Sequence, residues 1–560
     1  MKATKWVSTA VALTLMGSVA IGCAKSGEPA ASPTGDAKGT AAPAASNKPQ
    51  QLAINFTAEP PVLDVSKSTA NAVSTILNAV SEGLYRVDKD GKATPALAKD
   101  FPKVSADGLT YTIDIRDNAT WADGQPVKAQ DFVYSFKRTL DPATKAQYSF
   151  MVAWLKGGEA VTKAKTLEEV KAAQDALGVK AISDKQLEIK LEKPIAFFTQ
   201  LLGFLAFFPQ REDITTQYGD KNGADADKVI GAGPFVLSKW EHQQSLELVK
   251  NDKYWDAANV KLNKVTINIV KDTNTGLNLY ETDAADLAEI KGDQLKLYAG
   301  KPDNAPKPEL TNSYIMYQTQ KNPALGNKKI RQALGMAIDR QAFVDTVLAN
   351  GSVASTGLVP EGTSDGAGGS FRKTAGETQD KFDAAKAKQL LEEGLKEVGL
   401  TALPKMKLNA DDTETAKKSL EFILAQWKQN LGYEAEANPL PHALRIELSS
   451  KHDFEMVLSL WGADYNDPMT FLDMWITGGE FDEGFYSNTQ YDTLIKQSQV
   501  EVDPSKRAKA MADAEKILMD DQGVTPLYFR SRAYLKKPSV DGLLLPSFGP
   551  EWELKWTSIK

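Results

Sequence analysis

Two spacings of hydrophobic residues alternate along the chain. Apolar residues occupy every second position in residues 109–115, 187–191 and 265–269, the pattern typical of strands with one buried face. Apolar residues three and four positions apart predict four amphipathic helices. These helices cover residues 328–348, 384–398, 415–431 and 503–519. The chain is therefore predicted to be an α/β protein, and its 560 residues are enough for several domains.

Glycine and proline mark the ends of several predicted elements. Asn350-Gly351 closes the helix 328–348, because this pair favours a helix C-terminus. Proline favours the first helical turn, so Asp503-Pro504 is predicted to open the last helix. Asp-Gly pairs favour the tight turns of hairpins. We interpret three such pairs as hairpin turns: Asp90-Gly91, Asp107-Gly108 and Asp123-Gly124.

The N-terminus has the pattern of an export signal. Lys2 and Lys5 precede an apolar run over residues 6–21, as in secretory signal peptides. The run includes polar residues and is too short for a membrane-spanning helix. Ala20-Ile21-Gly22-Cys23 resembles a bacterial lipobox, with alanine in place of the commoner leucine. We expect removal of residues 1–22 and lipidation of Cys23. The alternative is an ordinary signal peptide that contains a cysteine.

The segment after the predicted signal has little to bury. Residues 23–51 consist mainly of Ala, Pro, Ser, Gly, Lys and Thr, a composition that favours a flexible chain. We therefore interpret this segment as a lipidated tether for the folded part of the protein.

Composition argues against several kinds of chemistry. The 66 basic and 73 acidic residues give a net charge of -7, which disfavours nucleic-acid binding. Cys23 is the only cysteine, and the three histidines lack the spacing of a zinc site, so we expect no metal and no other cofactor. Residues 362–366 match the nucleophile elbow of hydrolases, but the required flanking strand and helix are not predicted there. We expect no catalytic residues, and a peptidase using Ser364 is disfavoured.

Several motifs occur along the chain in a characteristic order. They are PALA at 95–98, SADGLTYTI at 105–113, WADGQPV at 121–127 with FVYS at 132–135, GPF at 233–235, NDKYW at 251–255, IRQAL at 330–334 with AIDR at 337–340, and WGADYNDP at 461–468. With them, the chain from about Leu52 to its C-terminus resembles the oligopeptide-binding proteins of ABC importers, which are extracytoplasmic solute-binding proteins of family 5.

The resemblance implies a three-domain α/β architecture, the two-lobed flytrap of class II periplasmic binding proteins. The domain bounds that it implies are 52–78, 207–309 and 530–560 for lobe 1, 79–206 for a domain inserted in lobe 1, and 310–529 for lobe 2. The two crossings between the lobes would form a hinge, so that a ligand in the cleft selects a closed state.

The resemblance also implies a ligand site between the lobes. In the family an aspartate pairs with the peptide α-ammonium, and Asp464 occupies that position, unless it only caps a turn. Residues 460–462 would form one edge that pairs with the ligand: Leu460, Trp461 and Gly462. Trp461 would also form an apolar wall, unless it packs in the core. The facing segment would consist of Ser68, Thr69 and Ala70.

Five positions depart from the family pattern: three pocket residues and the two positions of a disulfide. His442, which we include among the ligand-binding candidates, stands in place of a pocket tryptophan, and Ser449 and Leu458 stand in place of pocket arginines. The C-terminal end of a peptide is therefore expected to be held differently. A disulfide of some family members would join Thr311 to Gly462, and it is absent.

These expectations combine into one functional prediction. The protein would be a monomer on the extracytoplasmic face of the cell membrane, anchored to the lipid bilayer by acylated Cys23. It would capture oligopeptides and deliver them to the permease and ATPase subunits of an ABC importer. Two alternatives stay open: the same fold could bind a non-peptide solute such as an oligosaccharide, or serve as a peptide-pheromone co-receptor.

Overall fold

The computed structural model describes residues 48–57, 59–67, 70–88, 92–479 and 481–560. Predictions outside these ranges are the signal peptide, Cys23, most of the tether, Ser68 with Thr69, and the turn at Asp90-Gly91. Within these ranges, no helix combines the length and the apolar character needed to cross a bilayer. The same part of the chain contains no group of three or more His, Cys, Asp or Glu side chains placed to hold a metal ion.

The described residues form nineteen strands. They are β1 (Gln51–Phe56), β2 (Tyr85–Val87), β3 (Ala93–Pro95), β4 (Lys103–Val104), β5 (Thr110–Asp114), β6 (Val179–Ser183), β7 (Gln186–Lys190), β8 (Phe235–Glu241), β9 (Ser245–Lys250), β10 (Lys264–Ile269), β11 (Leu287–Ile290), β12 (Asn304–Tyr317), β13 (Val353–Ala354), β14 (Lys407–Asp411), β15 (Glu436–Leu440), β16 (Met456–Gly462), β17 (Val524–Lys536), β18 (Val540–Asp541) and β19 (Ser558–Ile559).

The same residues form nineteen α-helices, several of them a single turn. They are α1 (Asn71–Val80), α2 (Ala129–Leu140), α3 (Ser149–Val152), α4 (Gly158–Lys163), α5 (Leu167–Ala176), α6 (Phe198–Leu201), α7 (Glu212–Tyr218), α8 (Thr273–Glu281), α9 (Asp293–Tyr298), α10 (Pro323–Gly326), α11 (Lys328–Met336), α12 (Arg340–Phe343), α13 (Phe371–Ala375), α14 (Ala384–Glu397), α15 (Glu414–Leu431), α16 (His442–Ser450), α17 (Met469–Leu472), α18 (Thr489–Val500) and α19 (Pro504–Asp520).

One mixed sheet runs through both predicted lobes. Its strand order is β15-β14-β16-β12-β17-β11-β1-β10-β9-β8, and β13 also pairs with β17. β12 and β17 are the long members, with 14 and 13 residues. They pair antiparallel with each other, while β16 lies beside β12 and β11 lies beside β17. These two strands therefore connect the strands of the predicted lobe 2 to those of the predicted lobe 1.

A smaller antiparallel sheet lies within the predicted inserted domain. Its order is β4-β5-β7-β6. The alternating pattern of β5 buries Tyr111 and Ile113, and β7 buries Leu187 and Ile189, so both strands present one apolar face. This face belongs to a hydrophobic core that also contains Phe132 of α2, and its burial fixes the register of the sheet.

The pairing of the two long strands is interrupted at two places, and the larger interruption lies near the middle. Pro308 is paired with Ser531, and the next pair along β12 is Asn312 with Phe529. Residues 309–311 of β12 therefore lie opposite Arg530 alone, which is a β-bulge. The predicted crossings between the lobes fall within this bulge. The division into domains itself stays a prediction.

Most predicted elements are present, with small shifts at their ends. The three alternating segments form β5, β7 and β10, and the helices 384–398, 415–431 and 503–519 correspond to α14, α15 and α19. Asp503 caps α19 through bonds from the amides of residues 505 and 506. Gly108 has a φ of 72° in the turn that joins β4 to β5. Gly124 lies in a turn closed by the isolated bridge between Thr120 and Pro126.

The prediction of one helix over residues 328–348 is wrong. α11 ends at Met336, and α12 begins at Arg340 because Asp339 accepts a hydrogen bond from the amide of Ala342 at 2.9 Å. An aspartate in this position starts a new helix. The buried Arg340 then donates to the Pro526 carbonyl at 2.9 Å, so the break brings the helix end against β17.

Candidate functional site

The segment with the predicted ligand-binding residues begins as a strand with one free edge. β16 pairs with β12 over its whole length, from Met456 to Gly462. On its other side, β14 pairs with it only at Met456 and Val457. Among the described strands, residues 458–462 thus have a partner on one side only, and Leu460 and Gly462 are exposed. A free strand edge offers backbone N–H and C=O groups to another extended chain.

Asp464 lies two residues beyond β16 and is half-buried. Its Oδ1 accepts a hydrogen bond from the Tyr148 hydroxyl at 3.0 Å, which joins it to the predicted inserted domain. Burial raises the pKa of Asp464 to about 7, although the Tyr148 hydrogen bond acts in the opposite direction. Removal of the carboxylate from water destabilises its charged form more than the single hydrogen bond from Tyr148 stabilises that form. A cation placed beside Asp464 would stabilise its charged form.

Asp464 lines a cavity of about 280 Å³. Its lining includes Asn71 and Ser74 of α1, Tyr148, Phe204, Lys307, Glu309 and Thr311 of β12, Leu460 and Gly462 of β16, Arg530 of β17, and Phe548 with Gly549 near the C-terminus. A smaller cavity of about 50 Å³ shares Ser74, Phe204, Asp464 and Phe548 with it. Small-molecule sites commonly enclose roughly 300–1,000 Å³, so the larger cavity suits a small ligand.

Five charged side chains form a cluster at the bulge between β12 and β17. Glu309 pairs with Arg530 at 2.5 Å, with Arg532 at 2.9 Å and with Lys307 at 3.3 Å. Lys307 and Arg532 also pair with Glu551. Burial would raise the pKa of Glu309, but attraction to the three cations lowers it to about 2. Glu309 is therefore stabilised as a carboxylate within the protein.

The segment after Asp464 is held from two sides. Asp467 accepts two hydrogen bonds from Arg507 of α19, at 2.6 and 2.8 Å. The ring of Tyr465 stacks on Phe197, with ring centroids 4.3 Å apart. Because these partners come from different parts of the chain, the position of Asp464 depends on the folded structure as a whole.

A second half-buried acid, Asp473, interacts electrostatically with Asp464. Burial and repulsion by Asp464 and Asp467 raise the pKa of Asp473 to about 8, although attraction to Lys193 opposes the shift. Burial thus favours the neutral forms of both acids, and a cationic group placed beside them would stabilise their charged forms.

The structure brings some of the predicted ligand-binding residues together. Leu460, Gly462 and Asp464 line the same cavity. Trp461 packs against Phe481 with ring centroids 5.1 Å apart, and its indole Nε1 is buried without a hydrogen-bond partner. Ala70 is the residue before α1, whose first residue lines the cavity.

His442 has a different placement. Its side chain is exposed and its Nδ1 lies 3.1 Å from Asp411 Oδ2, and it lines neither cavity at Asp464. The roles of His442 and of the other predicted site residues stay predictions. Thr311 and Gly462, the positions of the family disulfide, are opposite each other across β12 and β16.

Sequence reasoning missed most of the residues that line the site, and four of them show why. They are Tyr148, Phe204, Arg530 and Phe548. They come from segments far apart in the sequence and belong to none of the motifs discussed above. Only the folded chain brings them to Asp464, and no local signal in the sequence marks them.

Comparisons with known proteins agree with this architecture. The family model described as "Bacterial extracellular solute-binding proteins, family 5 Middle" matches residues 92–483. The chain is similar to the oligopeptide-binding protein OppA of Bacillus subtilis (strain 168), with 32% identity over 511 residues that cover 89% of this chain and 91% of the relative.

Two solved structures share the fold over their full length. One is described as Listeria monocytogenes OppA bound to peptide; its TM-score is 0.79 at 36% identity, covering 91% of this chain and 99% of that one. The other is the pheromone receptor PrgZ, described with its mode of peptide binding; its TM-score is 0.80 at 33% identity, covering 92% of this chain and 100% of that one.

The raised pKa of Asp464 predicts a pH-dependent effect on stability. The unfolded chain ionises this residue near pH 4, whereas the folded protein keeps it protonated up to about pH 7. Its contribution to stability is therefore present at low pH and is lost as the pH rises towards 7. We expect Asp464→Asn to match the wild type near pH 4 and to be more stable at pH 8, by on the order of 1–4 kcal/mol. Chemical denaturation at both pH values measures this difference.

A matched control is Asp453→Asn. Asp453 is exposed, and hydrogen bonding and attraction to Lys321 lower its pKa, so its substitution should not stabilise the protein at pH 8. Equal stabilities of the wild type and Asp464→Asn at pH 8 would show that Asp464 carries no cost of burial.

Proposed function

The chain belongs to the bacterial extracellular solute-binding proteins of family 5, and on this premise we propose that it captures oligopeptides between its lobes for delivery to an ABC importer. The observation that carries the proposal is the partly desolvated Asp464, which has no ion-pair partner among the described residues and follows a strand with a free edge. A peptide would supply a cation for Asp464 and backbone hydrogen-bonding groups for the free edge of β16.

Peptides of every sequence share an α-ammonium and a backbone of alternating donors and acceptors. The α-ammonium would pair with Asp464, in place of or beside the Tyr148 hydroxyl. The peptide backbone would add to the free edge of residues 460–462, as extended peptides do on sheet edges. Side chains would project into the cavity, where water adapts to their differences. Such a site recognises the common part of peptides and tolerates varied side chains.

We further propose where the protein acts and what it contacts. Acylation of Cys23 would anchor the chain to the outer face of the cell membrane, since two or more acyl chains hold a protein stably where one does not. The lobes would divide at residues 309/310 and 529/530, with residues 79–206 as the inserted domain. The protein would act as a monomer, contact the permease and ATPase subunits of the importer, and catalyse no reaction.

The alternative of a peptide-pheromone co-receptor is supported by one structural relative. The similarity to the pheromone receptor PrgZ favours a peptide-pheromone co-receptor as the second candidate. A receptor would bind one peptide much more tightly than others, whereas a transport protein would bind many peptides with similar affinity. An oligosaccharide-binding protein of the same fold would show no dependence on an α-amine.

Free and N-acetylated peptides should differ strongly in affinity. Acetylation removes the positive charge that would pair with Asp464, and loss of one partner of a desolvated charge pair costs about 2–5 kcal/mol, or roughly 30- to 5,000-fold in Kd. Calorimetric titration of refolded, ligand-free protein with tripeptides to pentapeptides measures this difference. Asp464→Asn should weaken binding of the free peptides by a similar factor and should respond little to acetylation. If neither the free nor the acetylated peptides bind, the peptide proposal is wrong.

Peptide affinity should pass through a maximum between about pH 7 and pH 8. Binding requires ionised Asp464, whose pKa is about 7 in the unliganded protein, and a protonated α-amine, whose pKa is about 7.7–8. Affinity should thus fall by up to about tenfold per pH unit below pH 7. Titrations from pH 5 to pH 9 test this dependence. An affinity that increases from pH 7 to pH 5 would contradict the proposed pairing.

Lipidation of Cys23 would fix both the mass of the mature protein and its location at the cell membrane. Protein isolated from membranes of an expressing bacterium should begin at Cys23 and carry the added mass of acyl chains, as measured by intact-mass spectrometry. Cys23→Ser should lack this mass and should be released from the cell membrane. Wild-type protein with an unmodified Cys23 thiol would refute the anchor.

A further inference from the structure

Asp464 belongs to the predicted lobe 2, but residues of the predicted inserted domain help to enclose it. The Tyr148 hydroxyl donates a hydrogen bond to its Oδ1 at 3.0 Å, and Phe204 and Leu205 line the same cavity. All three residues belong to the predicted inserted domain. The low hydration of Asp464 therefore depends on the contact between these two parts of the chain.

A stack of two rings joins the two parts beside Asp464. Phe197 of the predicted inserted domain lies nearly parallel to Tyr465, at an interplanar angle of 10° and with ring centroids 4.3 Å apart. The guanidinium carbon of Arg507 lies 5.6 Å from the Phe197 centroid, within the range of a cation–π interaction. Arg507 also binds Asp467 through two hydrogen bonds. Phe197 thus contacts the residue after Asp464 and the arginine that holds the same segment.

Phe197 does not line the cavities at Asp464. It borders two other cavities, of about 730 and 360 Å³, and each of these is lined by residues of both parts. Other side-chain contacts between the two parts are Lys193 with Gln499 and Phe150 with Phe481. Because open space separates the two parts at both cavities, the stack supplies much of their contact near Asp464.

Several charged and ionisable groups surround Asp464. They are Asp467 and Asp473 on its own segment, Arg507 on α19, Tyr148 and Lys193 in the predicted inserted domain, Lys307, Glu309 and Arg530 at the bulge, and Glu553 near the C-terminus. Burial raises the pKa of Asp464, and the Tyr148 hydrogen bond acts against this shift. Exposure of the carboxylate to water would therefore lower its pKa towards the ordinary value near 4.

We propose that Phe197 is a positioning residue, whose stack on Tyr465 holds the predicted inserted domain over Asp464 and keeps water from the carboxylate that receives the peptide α-ammonium. Attraction between opposite charges increases as water is excluded, so the pairing is stronger in the enclosed site. The inference rests on the proposed function as far as the ligand is concerned. The effect of Phe197 on the hydration of Asp464 can be measured without a ligand.

The first test compares four ligand-free proteins. They are the wild type, Asp464→Asn, Phe197→Ala and the double variant, each unfolded with denaturant at pH 4 and at pH 8. At pH 8 the gain in stability from Asp464→Asn reports what burial costs the carboxylate. This gain should fall to about half or less in the Phe197→Ala background, because water then reaches the carboxylate. Near pH 4, Asp464→Asn should have little effect in either background. An unchanged gain at pH 8 would overturn the inference.

Two further variants separate the stack from a general loosening. Phe101 stacks on Tyr85 at an interplanar angle of 11°, with ring centroids 5.9 Å apart, and both rings belong to the predicted inserted domain. Phe101→Ala should therefore leave the gain from Asp464→Asn unchanged. Phe197→Tyr keeps a flat ring in the stack, and the two neighbouring cavities leave room for its hydroxyl, so it should restore the gain. An equal fall in Phe101→Ala and Phe197→Ala would contradict a specific role of the stack.

The second test uses trialanine and N-acetylated trialanine as ligands. In Phe197→Ala, the ratio of the affinities for the free and the acetylated peptide should fall by about 3- to 30-fold. The affinity for trialanine should also persist to lower pH than in the wild type, because a hydrated Asp464 stays ionised to lower pH. Titration calorimetry from pH 5 to pH 8 measures both effects. Phe101→Ala and Phe197→Tyr should keep the wild-type values.

The outcomes distinguish this inference from the proposed function. If Phe197→Ala binds peptides with the wild-type α-amine preference and pH dependence, the role of Phe197 in recognition is refuted and the proposed function stands. Absence of peptide binding to the wild type would refute the proposed function. The ligand-free comparison would then decide by itself whether Phe197 controls the hydration of Asp464.

Discussion

Charged groups that line the cavity at Asp464 are partly removed from water, so each of them depends on a partner. Glu309 is surrounded by Arg530, Arg532 and Lys307, and its pKa falls to about 2 although burial opposes this. Asp464 has only the Tyr148 hydroxyl as a side-chain donor, and burial raises its pKa to about 7. The protein therefore stabilises one carboxylate itself and leaves the other without a cationic partner among the described residues. The recognition chemistry that we propose follows from this difference.

The sheet explains how these groups are placed. β12 and β17 run through both predicted lobes, and their pairing is interrupted only at residues 309–311 and by a one-residue shift further along. A bulge bends strands and locally disrupts the ladder, which is what a hinge between two rigid bodies requires. The charged cluster lies at this bulge and lines the cavity. A change in the angle between the lobes would therefore move Arg530 relative to Asp464.

Local patterns in the sequence predicted local structure well. The alternating segments and three of the four long helices are present, and the predicted family and two-lobed fold class are confirmed by the family match and the solved relatives. The helix break at Asp339 was missed because its side-chain cap competes with continuation of the helix. Asp464 is predicted as a site residue through the family motif around it. Tyr148 and Arg530 could not be predicted in this way. They line the cavity only because the fold brings together segments that are hundreds of residues apart.

The strand pairing also limits how early the main sheet can be completed during synthesis. Gln51 at the start of β1 pairs with Lys264 of β10, and β11, which also pairs with β1, is flanked on its other side by β17 near the end of the chain. Phe548 and Gly549, close to the C-terminus, complete the cavity wall. Pairings of such high sequence separation form slowly. The part of the main sheet around β1 and β11 therefore cannot be completed until β17 is available, when nearly the whole chain has been made.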